Sequence, residues 1–184
     1  MILPIYTYGQ AVLRKECEDI APDYPELKKL VQDMIETMDN ADGVGLAAPQ
    51  IGRAIRVLVI NLDVLKDDYP EYEGLIKAYI NAHIVEKSEE TVLLEEGCLS
   101  LPSIQENVRR AERVRIQYVD EDFVAHDEWF EGFHARVLQH EIDHLDGNVF
   151  TDRISPLRKQ MVKNKLNALV KGKFSSRYKV KPAH

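Results

Sequence analysis

The pattern with the clearest chemical meaning is His-Glu-x-x-His at residues 140–144. In a helix of 3.6 residues per turn, His140 and His144 lie one turn apart on the same face. Two imidazoles placed in this way can bind one cation, with Glu141 beside them as a candidate general base. Two hydrogen-bonded core histidines could share the spacing, but the full motif on an apolar helix favours a metal site.

A catalytic metal site usually has three protein ligands and one open position, so the third ligand decides the class of hydrolase. Metalloproteases with this motif take their third ligand from a downstream His or Glu. Here Phe150 stands where the longer protease motif needs His, and no Glu follows Glu141. Asp152 is a weak substitute, so an HExxH-type metallopeptidase is the weaker alternative.

Cys98 is the best third ligand upstream of the motif. It follows a predicted strand, beside Gly97, in the segment EEGCLSLP, and a thiolate is a good ligand for zinc or ferrous iron. The other cysteine, Cys17, lies between Glu16 and Glu18. Because neighbouring carboxylates disfavour a thiolate, we interpret Cys17 as structural.

Apolar periodicity predicts the elements that must position these side chains. Helices are expected over 25–38, over 131–145 with Gly147 as the C-terminal cap, and from the N-cap Ser155 onward. Strands are expected over 55–62, 78–85, 91–94, 113–120 and 123–129, with the acidic segment 63–73 as a surface loop. The irregular order predicts an α+β fold: antiparallel or mixed β-sheets around a central buried helix carrying HExxH, with an N-terminal helix and a C-terminal helix.

Three segments, in this order, resemble the motifs of the peptide deformylase family. Residues 43–50, GVGLAAPQ, resemble GxGLAAxQ; residues 96–100 read EGCLS; residues 139–144, QHEIDH, resemble QHExDH. The resemblance implies one catalytic domain over residues 1–184, of the bacterial type. It implies an enzyme of the bacterial cytoplasm that removes the formyl group from the N-terminal formylmethionine of nascent polypeptides and releases formate.

The resemblance also implies a ligand set and a metal. Cys98, His140 and His144 match the family's ligands for one divalent ion per chain. Fe²⁺ is expected as the native metal, with Zn²⁺, Ni²⁺ or Co²⁺ able to replace it.

Catalytic roles follow from the same resemblance. Water activated by the metal attacks the formyl carbon, and Glu141 serves as general base and then general acid. The side-chain amide of Gln50 and the backbone N–H of Leu99 are expected to stabilise the oxyanion. Gly45 is expected to let the substrate backbone approach closely.

The methionine side chain of such a substrate needs an apolar pocket. Positional matching with the family assigns the walls of the pocket to Val44, Leu94, Phe133 and Val137. It places Glu96, Gly97 and His140 at the edge of the pocket. Arg136 departs from the family, where many members carry an apolar residue. Its stem could line a wall while its charge reaches solvent or Glu96.

Charge is divided unevenly along the chain. The 184 residues carry a net charge of −7, yet residues 153–184 hold 10 of the 24 Lys and Arg and none of the 31 Asp and Glu. An acidic body argues against broad binding to nucleic acid or anionic membranes. Two cysteines, no signal peptide and no run of about 20 apolar residues predict a reducing, cytoplasmic setting without a membrane partner.

The basic end, residues 153–184, is expected to be a helix followed by an extended, loosely held tail. Its apolar face is assigned to Leu157, Met161, Leu166, Leu169 and Val170. It could pack on the acidic body, or it could dock transiently on the ribosome without reading a nucleic-acid sequence. A non-enzymatic module, whose metal only holds the fold and whose tail binds RNA, is a further hypothesis.

Overall fold

The computed structural model describes the whole chain, Met1–His184. Its helices are α1 (Leu27–Asn40), α2 (Gly132–Leu145) and α3 (Pro156–Val170). Its strands are β1 (Ile5–Tyr6), β2 (Gly45–Ala47), β3 (Val57–Asn61), β4 (Ile76–Lys87), β5 (Thr91–Cys98), β6 (Leu101–Ala111), β7 (Arg113–Val119), β8 (Ala125–Glu131) and β9 (Val180–Lys181). The predicted α+β class is confirmed. None of the three helices is long and apolar enough to span a bilayer.

The largest sheet is antiparallel, with five strands in the order β2-β3-β4-β7-β8. Its strand β3 shows how the helices cover it. Leu58 and Ile60 join the core that contains α2, whereas Val57 and Val59 join the core that contains α1. Because both faces of β3 are covered, its sequence is a continuous apolar run rather than an alternation.

A separate antiparallel hairpin, β5–β6, packs against α3. Sequence periodicity missed β6. Its buried positions include Glu106 and Arg110 as well as Ile104 and Val108, so the apolar alternation is interrupted by charges. Both charges are paired in the fold, which is why the strand tolerates them.

Helix α2 begins directly after β8, where Gly132 adopts φ 63°. It ends at Leu145, and Gly147 follows with φ 79°. A Cβ at position 147 would lie 2.8 Å from the carbonyl oxygen of Arg14. Both the backbone conformation and the contact therefore require glycine, as expected for the end of this helix.

Helix α3 begins as predicted, with the Ser155 hydroxyl accepting from the Arg158 N–H at 3.2 Å. Its predicted apolar face is wrong in part. Val162 and Leu169 are buried in the core with β6, but Leu157 and Met161 are 70% and 59% exposed. Only one side of α3 lies on β6, and these two side chains point away from it.

The C-terminal segment after α3 is packed, not loosely held as expected. β9 pairs in parallel with β1, joining the two ends of the chain. The Gln10 side chain also donates to the carbonyl oxygens of Lys181 and Pro182, and Phe174 packs on the core beneath α3. A two-residue strand with a partner 175 positions away in register, Ile5 with Val180, leaves no periodic signal in the sequence.

Candidate active site

Three predicted metal ligands meet between the β5–β6 turn and α2. Cys98 Sγ lies 3.3 Å from His144 Nε2. The ligand atoms of Cys98, His140 and His144 all lie within 4.8 Å of one another, a spacing that suits a single cation. The helix that presents both histidines is buried from Ala135 to Leu145.

Cys98 reaches the site because the hairpin changes register beside it. Gly97 pairs with Gln105, but Cys98 pairs with Leu101, so the chain turns tightly through Leu99 and Ser100. Such an irregularity re-aims a side chain at the end of a strand. Here it directs the thiol toward α2.

The surroundings of the two imidazoles fit a bound cation. His140 Nδ1 lies 2.7 Å from Glu96 Oε1, which leaves Nε2 free to act as a ligand. Burial disfavours the charged form of His140, but hydrogen bonds to Cys98 and Glu96 outweigh it and raise its pKa, so a cation that binds Nε2 must displace a proton from this ring. His144 Nδ1 has no partner. Burial, with His140 nearby, lowers the pKa of His144 to about 3, so it is neutral, as a metal ligand must be.

Glu141 lies beside this cluster with an unused carboxylate oxygen. Its Oε2 has no hydrogen-bond partner, and burial raises its pKa to about 7. A carboxyl group with this pKa can accept and release a proton near neutral pH. Its neighbour is Gly45, where a Cβ would lie 2.5 Å from Glu141 Oε1. In the structure Gly45 admits the Glu141 side chain, a role that sequence analysis did not give it.

The amide of Gln50 is oriented by the short helical turn that contains it. Its side-chain oxygen accepts from the Ala47 N–H at 2.9 Å. The amide nitrogen then faces Ser100 Oγ at 3.1 Å and Cys98 Sγ at 3.5 Å. The donor group is therefore turned into the site, on the side where Leu99 follows Cys98.

These groups open into a cavity of about 770 Å³. Val44, Phe133 and Val137 line it as expected, together with Gly97 and the stem of Arg136. Leu94 does not line the cavity and is a correction to the predicted pocket, since its side chain is 45% exposed. β5 pairs only with β6, which leaves that part of the hairpin open to solvent.

Glu96 lies at the edge of the cavity, where it was expected, and its contacts give it a further role. Its carboxylate accepts from Arg110 Nε and Nη2 at 2.6 and 2.9 Å, from Arg136, and from His140 when that ring carries the proton. Little hydrogen-bonding capacity remains for a substrate, so Glu96 orients His140 from the edge of the cavity. The Arg136 guanidinium reaches Glu96 and the carbonyl oxygens of Val92 and Val108, and not solvent.

Two groups of site residues were missed from the sequence. Arg110 and Arg153 bind the buried Asp143 on α2, with Arg153 donating at 2.6 and 2.7 Å. Ser175, Ser176, Arg177 and Tyr178 from the C-terminal segment line the cavity. The arginine at an inward position of β6 was the sequence signal that could have revealed the Asp143 group. No local sequence pattern predicts that residues 175–178 line the cavity.

Cys17 lies apart from the site, as expected, but for a different reason. Its thiol is 5% exposed, and burial raises its pKa to about 11. Burial is the main cause, and the acidic neighbours in the sequence do not set this pKa. A buried protonated thiol is a poor nucleophile and a poor ligand.

Comparison with known proteins agrees with this geometry. The family model for polypeptide deformylase matches residues 2–160. A peptide deformylase of Flavobacterium johnsoniae is 46% identical over 98% of this chain and 96% of its own length. One from Christiangramia forsetii is 44% identical over the same shares. The crystal structure of the Thermus thermophilus peptide deformylase is 40% identical with a TM-score of 0.79, covering 91% of this chain and 96% of that one. The chain belongs to the peptide deformylase family.

Proposed function

We propose that this enzyme hydrolyses the formamide of N-formylmethionyl nascent polypeptides in the bacterial cytoplasm, giving formate and a free α-amine. The observation that carries the proposal is the convergence of three ligand atoms beside the partnerless Glu141 carboxylate, at the wall of a cavity of about 770 Å³. Water adds to the formyl carbon, the carbon–nitrogen bond breaks, and the proton taken from water returns to the amine.

Cys98, His140 and His144 would hold the metal. One divalent ion bound there would activate water near neutral pH and polarise the formyl oxygen as a Lewis acid. A thiolate with two imidazoles suits both Fe²⁺ and Zn²⁺. We propose Fe²⁺ as the native ion, with Zn²⁺, Ni²⁺ or Co²⁺ as substitutes.

The chain's own residues supply proton transfer and charge stabilisation. Glu141 takes the proton from the attacking water and later delivers it to the leaving nitrogen. Gln50 Nε2 and the Leu99 N–H donate to the formyl oxygen as negative charge develops on it. The bond from Ala47 fixes the plane of the Gln50 amide before substrate arrives, and the formyl oxygen then replaces one of the two acceptors that Nε2 faces, Ser100 Oγ or Cys98 Sγ.

Selection of methionine falls to the apolar wall of the cavity. Val44, Phe133 and Val137 offer an unbranched thioether side chain apolar contacts within the cavity. The saturated Glu96 and Arg136 pair closes that wall without leaving a free charge in it.

A pair of assays tests the function. The metal-loaded enzyme is given formyl-Met-Ala-Ser, and formate is measured; a longer unformylated peptide is given in parallel, and internal cleavage is measured. We expect formate release and no internal cleavage. Cleavage of the longer peptide without formate release would instead support the metallopeptidase alternative.

A further inference from the structure

The C-terminal segment touches the turn that carries two predicted catalytic groups. Tyr178 Oη donates a 2.7 Å hydrogen bond to the carbonyl oxygen of Leu99. Burial raises the pKa of Tyr178 to about 12, so its hydroxyl remains protonated and able to donate. Leu99 follows the ligand Cys98, and its N–H is the proposed backbone donor to the oxyanion.

This turn is held from three directions. The Ser100 carbonyl oxygen accepts from the Tyr8 N–H at 2.8 Å. The Ser100 hydroxyl accepts from Gln50 at 3.1 Å, inside the site. Tyr178 supplies the third restraint, on the carbonyl oxygen of the Leu99–Ser100 peptide group.

Tyr178 is in turn fixed by the ends of the chain. The Ile5 N–H donates to the Lys179 carbonyl oxygen at 2.9 Å, and β1 pairs with β9 just beyond. The Ser176 hydroxyl accepts from the Tyr178 N–H at 3.2 Å and donates to its carbonyl oxygen at 3.0 Å. The strand pair thus determines where the phenol lies.

We propose that Tyr178 is a positioning residue for deformylation, which holds the Leu99 carbonyl so that the Leu99 N–H points at the formyl oxygen. The inference rests on the proposed role of that N–H. Tyr178 acts through the turn, because its hydroxyl is bonded to the Leu99 carbonyl oxygen. It makes the last part of the chain a component of the catalytic site.

The test compares Tyr178→Phe with wild type and with Tyr24→Phe. The first variant keeps the ring and loses the hydroxyl. The control loses a tyrosine hydroxyl that meets the exposed Arg53 at 3.0 Å, outside the cavity. For each metal-loaded protein, kcat and KM for formyl-Met-Ala-Ser are measured, together with hydrogen exchange of the peptide containing Leu99 and Ser100.

Tyr178→Phe should lower kcat about three- to tenfold with little change in KM, the size expected for one lost hydrogen bond. Exchange in the Leu99–Ser100 peptide should become faster, and Tyr24→Phe should match wild type in both measurements. An unchanged kcat, or a raised KM with unchanged kcat, would overturn the positioning role. A wild-type enzyme that releases no formate would instead overturn the proposed function, so the two failures are distinguishable.

Discussion

At the scale of single residues, the site depends on short side chains that let larger ones approach. Gly45 and Glu141 are the clearest pair. The Glu141 carboxyl occupies the space that a side chain at position 45 would need, with 2.9 Å from that Cβ to Cγ and to Cδ. The proposed proton carrier therefore has its place only because residue 45 is glycine.

Gly45→Ala should strongly reduce deformylation without removing the metal. A methyl group at this position must displace the Glu141 carboxyl, and a displacement of about 1 Å at a catalytic group can cost roughly a hundredfold in rate. Formate release and metal content, measured on the same preparation, check this. Activity near the wild-type level would show that the reaction does not require the Glu141 carboxyl group to occupy the space beside residue 45.

His140, Glu141 and His144 were predictable from sequence because a helix fixes the geometry of residues one turn apart. Cys98 was predictable from its residue type and its motif, not from any spacing to the helix. The role of Glu96 was not, because it depends on Arg110 from the neighbouring strand and on Arg136 from α2. Long-range pairs of this kind have no local signature. The orientation of the Gln50 amide likewise depends on a backbone N–H three residues away in a short turn.

At the scale of elements, the site is built where α2 packs against the β5–β6 hairpin. Arg110 joins them by donating to Glu96 on β5 and to Asp143 on α2. Its side chain is 3% exposed, and the two carboxylates are 6% and 7% exposed. Because all three groups are buried, removing one of them destabilises the fold by depriving the other two of a partner.

A matched pair of substitutions tests that dependence. Arg110→Met should lower the free energy of unfolding by about 3 kcal/mol, because Glu96 and Asp143 each lose a buried charged donor, although Arg136 and Arg153 still bind them. The matched control is Arg115→Met. Like Arg110, Arg115 binds one carboxylate through two nitrogens, since it donates to Asp127 at 2.7 and 2.7 Å, but the Arg115 side chain is 39% exposed. This control substitution should cost at most about 1 kcal/mol.

Urea unfolding of the two metal-loaded variants and of wild type gives the comparison. Equal losses of unfolding free energy in both would show that burial of the Arg110 network does not govern its contribution. The same network explains why β6 escaped sequence prediction. Its inward arginine and glutamate read as surface residues until their partners on other elements are known.

At the scale of the whole molecule, the structure shows where the basic residues of the C-terminal part of the chain lie. Lys159, Lys163 and Lys165 are exposed on α3, next to the exposed Leu157 and Met161. The segment beyond α3 is equally basic, but it folds back onto β1 and the cavity. Sequence revealed the asymmetry of charge, whereas the path of the tail depended on a partner at the other end of the chain.

We propose that the exposed face of α3 docks transiently on the ribosome. Changing Lys159, Lys163 and Lys165 to Gln should weaken ribosome binding at least about fivefold and reduce its dependence on salt. Changing Lys15, Lys28 and Lys66 to Gln alters the net charge equally, at exposed body positions, and should have little effect. Deleting the tail would not test this, because it would also remove Tyr178 from the cavity.

Cosedimentation with ribosomes over a series of salt concentrations measures both variants. If the α3 variant binds as tightly as wild type, or if both variants weaken equally, α3 is not the docking surface.

The central claim is that a metal held by Cys98, His140 and His144 acts with Glu141 to release formate. Its most direct test is Glu141→Gln, with bound metal and formate release measured on the same sample. The substitution keeps the shape of the side chain and removes its capacity to carry the proton. We predict unchanged metal content and formate release lowered by about two to four orders of magnitude. Retained turnover at unchanged metal content would contradict the account.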